Sequence, residues 1–250
     1  MRTVAILSGA LLCVLSARAD DIKVEPVEFA GKAGDCGTLA GGGRYPAGSR
    51  IVTAAWLEGL GLPDSGGPNS NASNPADNPN KQDSRWGLLL SKNGPTPDCS
   101  SAQARITGVE GMVLTEVGFD FRNGSHCGAG APRFNAVLRT GSTETFHFLG
   151  GCANGTKTPA PQDPAEWTRV RINPSSAGQA FPVAPPGARI RSLTILYDEG
   201  VDSVSGEDPK GVGLAILDNI AINGIIVGKG SKGRDKEKDN DDDDDDDDED

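Results

Sequence analysis

Aromatic residues make up 5% of the 250-residue chain, and histidine occurs twice, as His126 and His147. So few aromatics argue against a broad stacking platform, and so few histidines leave little material for general-base chemistry. No serine sits in a G-x-S-x-G elbow, and no C-x-x-C or H-x-x-x-H spacing is present, so neither a hydrolase signature nor a zinc signature can be read. Sustained helical periodicity is missing too: no window of eleven or more residues carries it. The longest apolar run, Val4 to Leu15, is about 12 residues, well short of the roughly 20 needed to span a bilayer as a helix.

The formal net charge of -11 is concentrated at one end. Asp239 to Asp250 holds eleven of the 35 acidic residues, and residues 1–19 hold two of the 24 basic ones, leaving 24 acidic against 22 basic between. The body of the protein is therefore near neutral, and no nucleic-acid partner is expected. From Gly228 onward glycine, lysine and then aspartate dominate, a composition that cannot bury enough surface to offset ordering entropy. The expectation is a disordered tail over 229–250 that binds hard cations or basic partners, or serves solubility alone.

Residues 1–19 read as a secretory leader: Arg2 ahead of an apolar run, then Ala17-Arg18-Ala19 as a small-x-small cleavage site. Secretion to an extracellular or periplasmic space follows, without a membrane span. In such a compartment the cysteines gain meaning. Cys13 leaves with the leader, so Cys36, Cys99, Cys127 and Cys152 remain, an even set suited to disulfides. Three pairings are open. Cys36–Cys99 with Cys127–Cys152 is favoured because each closes within one segment, and each is expected to stabilise by roughly 3–4 kcal/mol.

Residues 20–228 are one domain's worth of chain, with a polar insertion at about 64–84 rich in Asn, Pro, Ser and Gly. Trp56 and Trp86 flank it and read as core. Elsewhere the pattern is β. Val117, Phe119 and Phe121 alternate with Glu116, Gly118 and Asp120 along a strand expected from Val113, and Phe134, Ala136 and Leu138 oppose Asn135 and Arg139. Gly141-Ser142 is a turn into Phe146 and Phe148, read as inward-facing, with His147 outward. Thr168, Val170 and Ile172 oppose Trp167, Arg169 and Arg171, and Asn223-Gly224 marks a tight hairpin. Short strands between Gly and Pro turns predict an all-β fold, an antiparallel β-sandwich of jelly-roll type.

Three kinds of site are worth weighing. Glu116 and Asp120 share a strand face, but four residues at about 3.3 Å put them roughly 13 Å apart, too far for a glycosidase pair. Gly128-Ala-Gly130-Ala-Pro132 lies before a strand rather than a helix, which makes it a tight loop and not a phosphate cradle. Asp198, Glu199, Asp202, Glu207 and Asp208 crowd one loop, the oxygen-rich kind that calcium uses, and a structural Ca2+ is the one cofactor expected. Asp218 shares parity with Leu214, Ile216, Ile220 and Ile222, so a regular strand points it into the core, where it needs a cation, an arginine or a metal. A bulge at Asp218-Asn219 would re-aim it. For ligand recognition the candidates are Trp167 and Arg169 with Asn135 and His147, an exposed ring among polar groups suited to a sugar. Asn71, Asn123 and Asn154 begin N-glycosylation patterns, relevant only in a host that glycosylates secreted proteins.

The stretch Phe119 to Phe134, with Leu217-Asp-Asn-Ile-Ala-Ile-Asn-Gly224, resembles secreted bacterial β-sandwich proteins and the closing strand of galactose-binding-like jelly rolls, including carbohydrate-binding modules. The resemblance covers about half the chain and implies a structural calcium near Asp218. The leading expectation is a secreted, non-enzymatic β-sandwich that binds an extracellular ligand such as a glycan. The alternatives are a surface-associated protein acting through its acidic tail, and a hydrolase whose site is assembled from distant strands.

Overall fold

The computed structural model describes residues 22–31, 51–62 and 85–229. In chain order the strands are β1 (Lys23–Phe29), β2 (Ile51–Leu57), β3 (Gly87–Asn93), β4 (Ser101–Thr107), β5 (Val117–Arg122), β6 (Arg133–Thr140), β7 (Thr143–Gly150), β8 (Thr156–Pro159), β9 (Trp167–Ile172), β10 (Ala180–Phe181), β11 (Arg189–Tyr197), β12 (Leu214–Ile222) and β13 (Ile225–Val227). They form two antiparallel sheets. The first has the order β1-β4-β11-β6-β7-β10 and the second β2-β3-β12-β5-β9-β8, with β13 pairing β12. The fold is a β-sandwich. Its core lies between the inner faces, where Phe119 and Phe134 stack with ring centroids 5.8 Å apart.

Two turns show why local sequence sets local pairing. Asn223 (φ 52°) and Gly224 (φ 80°) both adopt left-handed backbone, which asparagine and glycine tolerate, and they close the β12–β13 hairpin. Gly141 (φ 60°) opens the two-residue turn that pairs Thr140 with Thr143. The strands on either side of the polar insertion pair as well, Leu57 opposite Gly87. The insertion itself, the leader, Cys36 and the acidic tail lie outside the described residues.

Cys127 and Cys152 are disulfide-bonded, with Cα atoms 4.9 Å apart. Cys99 is disulfide-bonded too. The strand expected from Val113 begins only at Val117, because the stretch before it bonds to the start of β11 instead, Val113 bridging Arg189 and Leu114 N donating to Ala188 O. Asn223 then ties it down: its side-chain oxygen accepts from the amides of Thr115 and Glu116, and its amide donates to Val113 O. Among the described residues no helix is long and apolar enough to cross a membrane.

Register corrects one sequence expectation. Directly opposed residues in an antiparallel pair share a face. In β6–β7, Ala136 faces His147 and Phe134 faces Leu149, while Asn135 faces Phe148 and Val137 faces Phe146. Since Phe134 and Ala136 are core, His147 points inward and is 1% exposed, whereas Phe146 and Phe148 stand outward at 46% and 41%. The expected faces of β7 are reversed.

Candidate functional site

The outward residues of the first sheet form rows across the strands. One runs Thr194 on β11, Asn135 on β6, Phe148 on β7 and Phe181 on β10, each directly opposite the next. At about 4.8 Å per strand, this row is roughly 14 Å long. Beside it, Gln103 on β4 opposes Leu196, which opposes Arg133. Thr194, Asn135, Gln103, Leu196 and Arg133 of these rows floor a cleft of about 790 Å³, walled on one side by the β3–β4 loop (Thr96 to Ser100) and on another by Gly130, Asp198 and Glu199. Phe146 forms its apolar margin and meets Phe148, which lies beyond the lining, edge to face with 5.1 Å between centroids.

Arg133 organises the floor. Its guanidinium lies 5.1 Å over the Phe148 ring and grips Asp198 through two bonds, Nη1 to Oδ1 at 2.7 Å and Nη2 to Oδ2 at 2.8 Å. Nη1 also donates to Gly130 O, and Nε donates to Asn135 Oδ1 at 3.1 Å. A planar fork with this many partners is rigid, so it holds Asp198, Asn135 and Phe148 in one arrangement.

The wall behind Glu199 is built around His126, which is fully buried. Its Nε2 bonds Glu199 Oε2 and its Nδ1 lies 3.3 Å from Asp208 Oδ2. Carboxylates only accept, so both ring nitrogens act as donors together in the imidazolium form. Burial pulls the imidazole pKa down, but the hydrogen bonds and charges of Glu199, and then of Asp208, outweigh it and hold it above 6.5. Tyr197 stands edge-on to the ring at 5.7 Å; burial first, and the neighbouring carboxylates second, push its phenol pKa far up and keep it neutral. Gly128 and Gly130 let Glu199 approach, since a Cβ on either would overlap its carboxylate. The loop expected to be merely tight thus shapes one wall of the cleft.

The acidic loop does not gather its carboxylates around one point. Asp198 is held by Arg133, Glu199 by His126, and Asp202 by the amide and hydroxyl of Thr96 at 2.6 and 2.7 Å. Asp208 accepts from the amides of Gly211 and Val212, and Glu207 faces Lys157 at 3.5 Å. Among the described residues no group of three or more His, Cys, Asp or Glu is placed to hold a metal ion. The cation in this corner is a lysine. The buried Lys92 ammonium donates to the carbonyls of Thr96, Asp98 and Asp198 at 2.8–3.1 Å and lies 3.0 Å from Asp98 Oδ1. Three main-chain oxygens and a carboxylate around one charge tie the β3–β4 loop to the loop after β11, and so hold two walls of the cleft together.

The chain matches no family model, no curated protein and no solved structure.

Of the four residues expected to bind ligand, only Asn135 lines the cleft. Trp167 is on the outer face of the other sheet, as its parity requires, but Leu62, Ala160 and Ile216 cover it and leave it 3% exposed. It is a small core, not a stacking ring. Arg169 binds buried Asp120 at 2.9 and 3.0 Å. His147 donates from Nδ1 to Pro182 O at 2.7 Å inside the sandwich. Asp218 escapes the core through a register shift between Asp218 and Ala221, where Asn219 adopts φ 47°. Its carboxylate accepts from the amides of Leu62 and Asn219 at 2.8 and 2.7 Å. The cleft residues that sequence reading missed are Phe146, Arg133, Gln103 and Thr194, with Phe148 packed against the first two. For the phenylalanines the signal was present in the Gly141-Ser142 turn, which sets the register that turns them outward.

Proposed function

We propose that this is an exported, non-enzymatic binding protein whose cleft on the outer face of the first sheet takes a glycan. The carrying observation is the pairing of a neutral polar floor, Gln103, Asn135 and Thr194, with the exposed ring of Phe146, which Phe148 buttresses edge to face. Amides and hydroxyls match sugar hydroxyls, and aromatic faces match the C–H faces of a pyranose. Both carboxylates on the wall, Asp198 and Glu199, have basic partners, which favours holding a ligand over transferring a proton to it. Export rests on the leader-like residues 1–19 and on the Cys127–Cys152 disulfide.

The test is retention on a panel of immobilised polysaccharides, comparing Phe146→Ala with Trp167→Ala. Retention that survives Trp167→Ala in the folded fraction and is lost in Phe146→Ala supports this cleft. Wild-type protein that no polysaccharide holds, or retention unchanged by Phe146→Ala, overturns it.

A further inference from the structure

We infer that the cleft selects uncharged glycans and turns acidic ones away, because its guanidinium is already occupied by a carboxylate of the chain itself. This rests on the glycan reading above and adds a ligand class to it.

A free arginine fork in a polar cleft is the usual receptor for a uronate or sulfate, because two parallel N–H groups match two oxygens. Here Asp198 fills that fork. Four of the five N–H donors of Arg133 have partners inside the protein: two on Asp198, one on Gly130 O and one on Asn135. The face of the guanidinium lies against Phe148, and the side chain is 12% exposed. An incoming carboxylate would have to displace Asp198 and leave it unpaired beside Glu199, the next residue along the same wall.

Among the described residues, the other charges lining the cleft add no cation. Lys92, which neutralises Asp98, is enclosed and fully committed to oxygens, so it presents nothing to a ligand. Glu199 and Asp208 share His126, two carboxylates to one imidazolium, which leaves this wall net negative. Arg105, on β4 opposite Thr194, is exposed but does not line the cleft. What faces a ligand is a set of neutral amides and hydroxyls, the Phe146 ring and partly exposed carboxylate oxygens that accept from hydroxyls. That set favours an uncharged polyol and repels an anion.

A matched pair of probes isolates the charge: polygalacturonate with its carboxyls methyl-esterified, and the same polymer de-esterified, alongside a neutral galactomannan and an alginate. The expected result is that at low salt the neutral members bind at least about tenfold more tightly than the acidic ones. Added salt should leave neutral binding unchanged and narrow the gap by screening. Asp198→Asn frees the fork and should strengthen binding of the acidic probes by about tenfold. Equal or tighter wild-type binding of the acidic polymers overturns the inference while leaving the glycan reading intact. So does an unchanged acidic affinity in folded Asp198→Asn. Should that variant fail to fold, the wild-type comparison and its salt dependence decide alone. Wild-type protein retained by neither class overturns the glycan reading itself.

Discussion

Asp120 on β5 and Asp218 on β12 stand directly opposite each other across one ladder, two buried carboxylates in facing positions. Like charges so placed repel. The bulge relieves this by dividing their partners. Asp120 takes the Arg169 fork, with Arg171 at 3.6 Å and the Asn219 amide at 2.8 Å, while Asp218 accepts from main-chain N–H groups. Asn219 reaches Asp120 only because its left-handed backbone turns it there.

Arg169→Met should therefore destabilise by about 3 kcal/mol, the low end for uncovering one buried charge, because Arg171 remains close to Asp120. Chemical denaturation measures it. Pairing the change with Asp120→Asn should restore part of the loss; a double variant less stable than the sum of the singles would show that the ion pair is not the cause.

His126 makes stability depend on pH. Its folded pKa is raised above 6.5, so the stabilisation is fully present below the unfolded value and disappears as pH rises from about 6.5 through the folded value. The groups facing it are Glu199, Asp208 and Tyr197. Melting temperature should fall over that alkaline-going range in the wild type, and the fall should be absent in His126→Asn. Parallel profiles for the two proteins would remove His126 as its source.

Gly130→Ala places a methyl where Glu199 Oε1 sits. The side chain must swing away from His126, at a cost of about 1–3 kcal/mol. The pH-dependent fall just described should shrink with it, because one of the two carboxylates that raise the imidazole pKa has moved. A Gly130→Ala protein with wild-type stability and an unaltered pH profile would contradict this packing.

Trp167→Ala should cost about 3 kcal/mol, since the ring is the largest member of the cluster with Leu62, Ala160 and Ile216. Under the glycan proposal, the folded variant should retain polysaccharide binding in full, because the ring is on the far sheet from the cleft. Loss of retention with unchanged melting temperature would return Trp167 to the binding surface.

Much of the fold was readable because it depends on neighbours in sequence. Alternation along β5, β6 and β9 assigns Phe119, Phe134 and Val170 to the core, and all three are buried. The expected and observed faces of β7 differ for a physical reason. Phe146 and Phe148 are the more apolar residues, so hydrophobicity alone turns them inward, yet the Gly141-Ser142 turn pairs Thr140 with Thr143 and puts His147 opposite core Ala136. Register outranks apolarity there, since a one-residue slip would also bury Asn135 or expose Leu149. Parity likewise sent Asp218 inward until the bulge changed the count, with Ala215 and Leu217 inward before it and Ile220 and Ile222 after it.

Local sequence alone determined the all-β class, the Asn223-Gly224 hairpin and the set of cysteines, because alternation, left-handed backbone tolerance and thiol chemistry are properties of a residue and its immediate neighbours. It also placed Trp167 on an outer face. Only tertiary structure decided that a loop covers that ring, that His126 meets Glu199 across 73 residues, and that Arg133 meets Asp198 across 65. Such meetings depend on which strands stack and where the connecting loops close, and no short stretch of chain encodes that. The cleft exists at those closures, between parts of the sequence that carry no sign of one another.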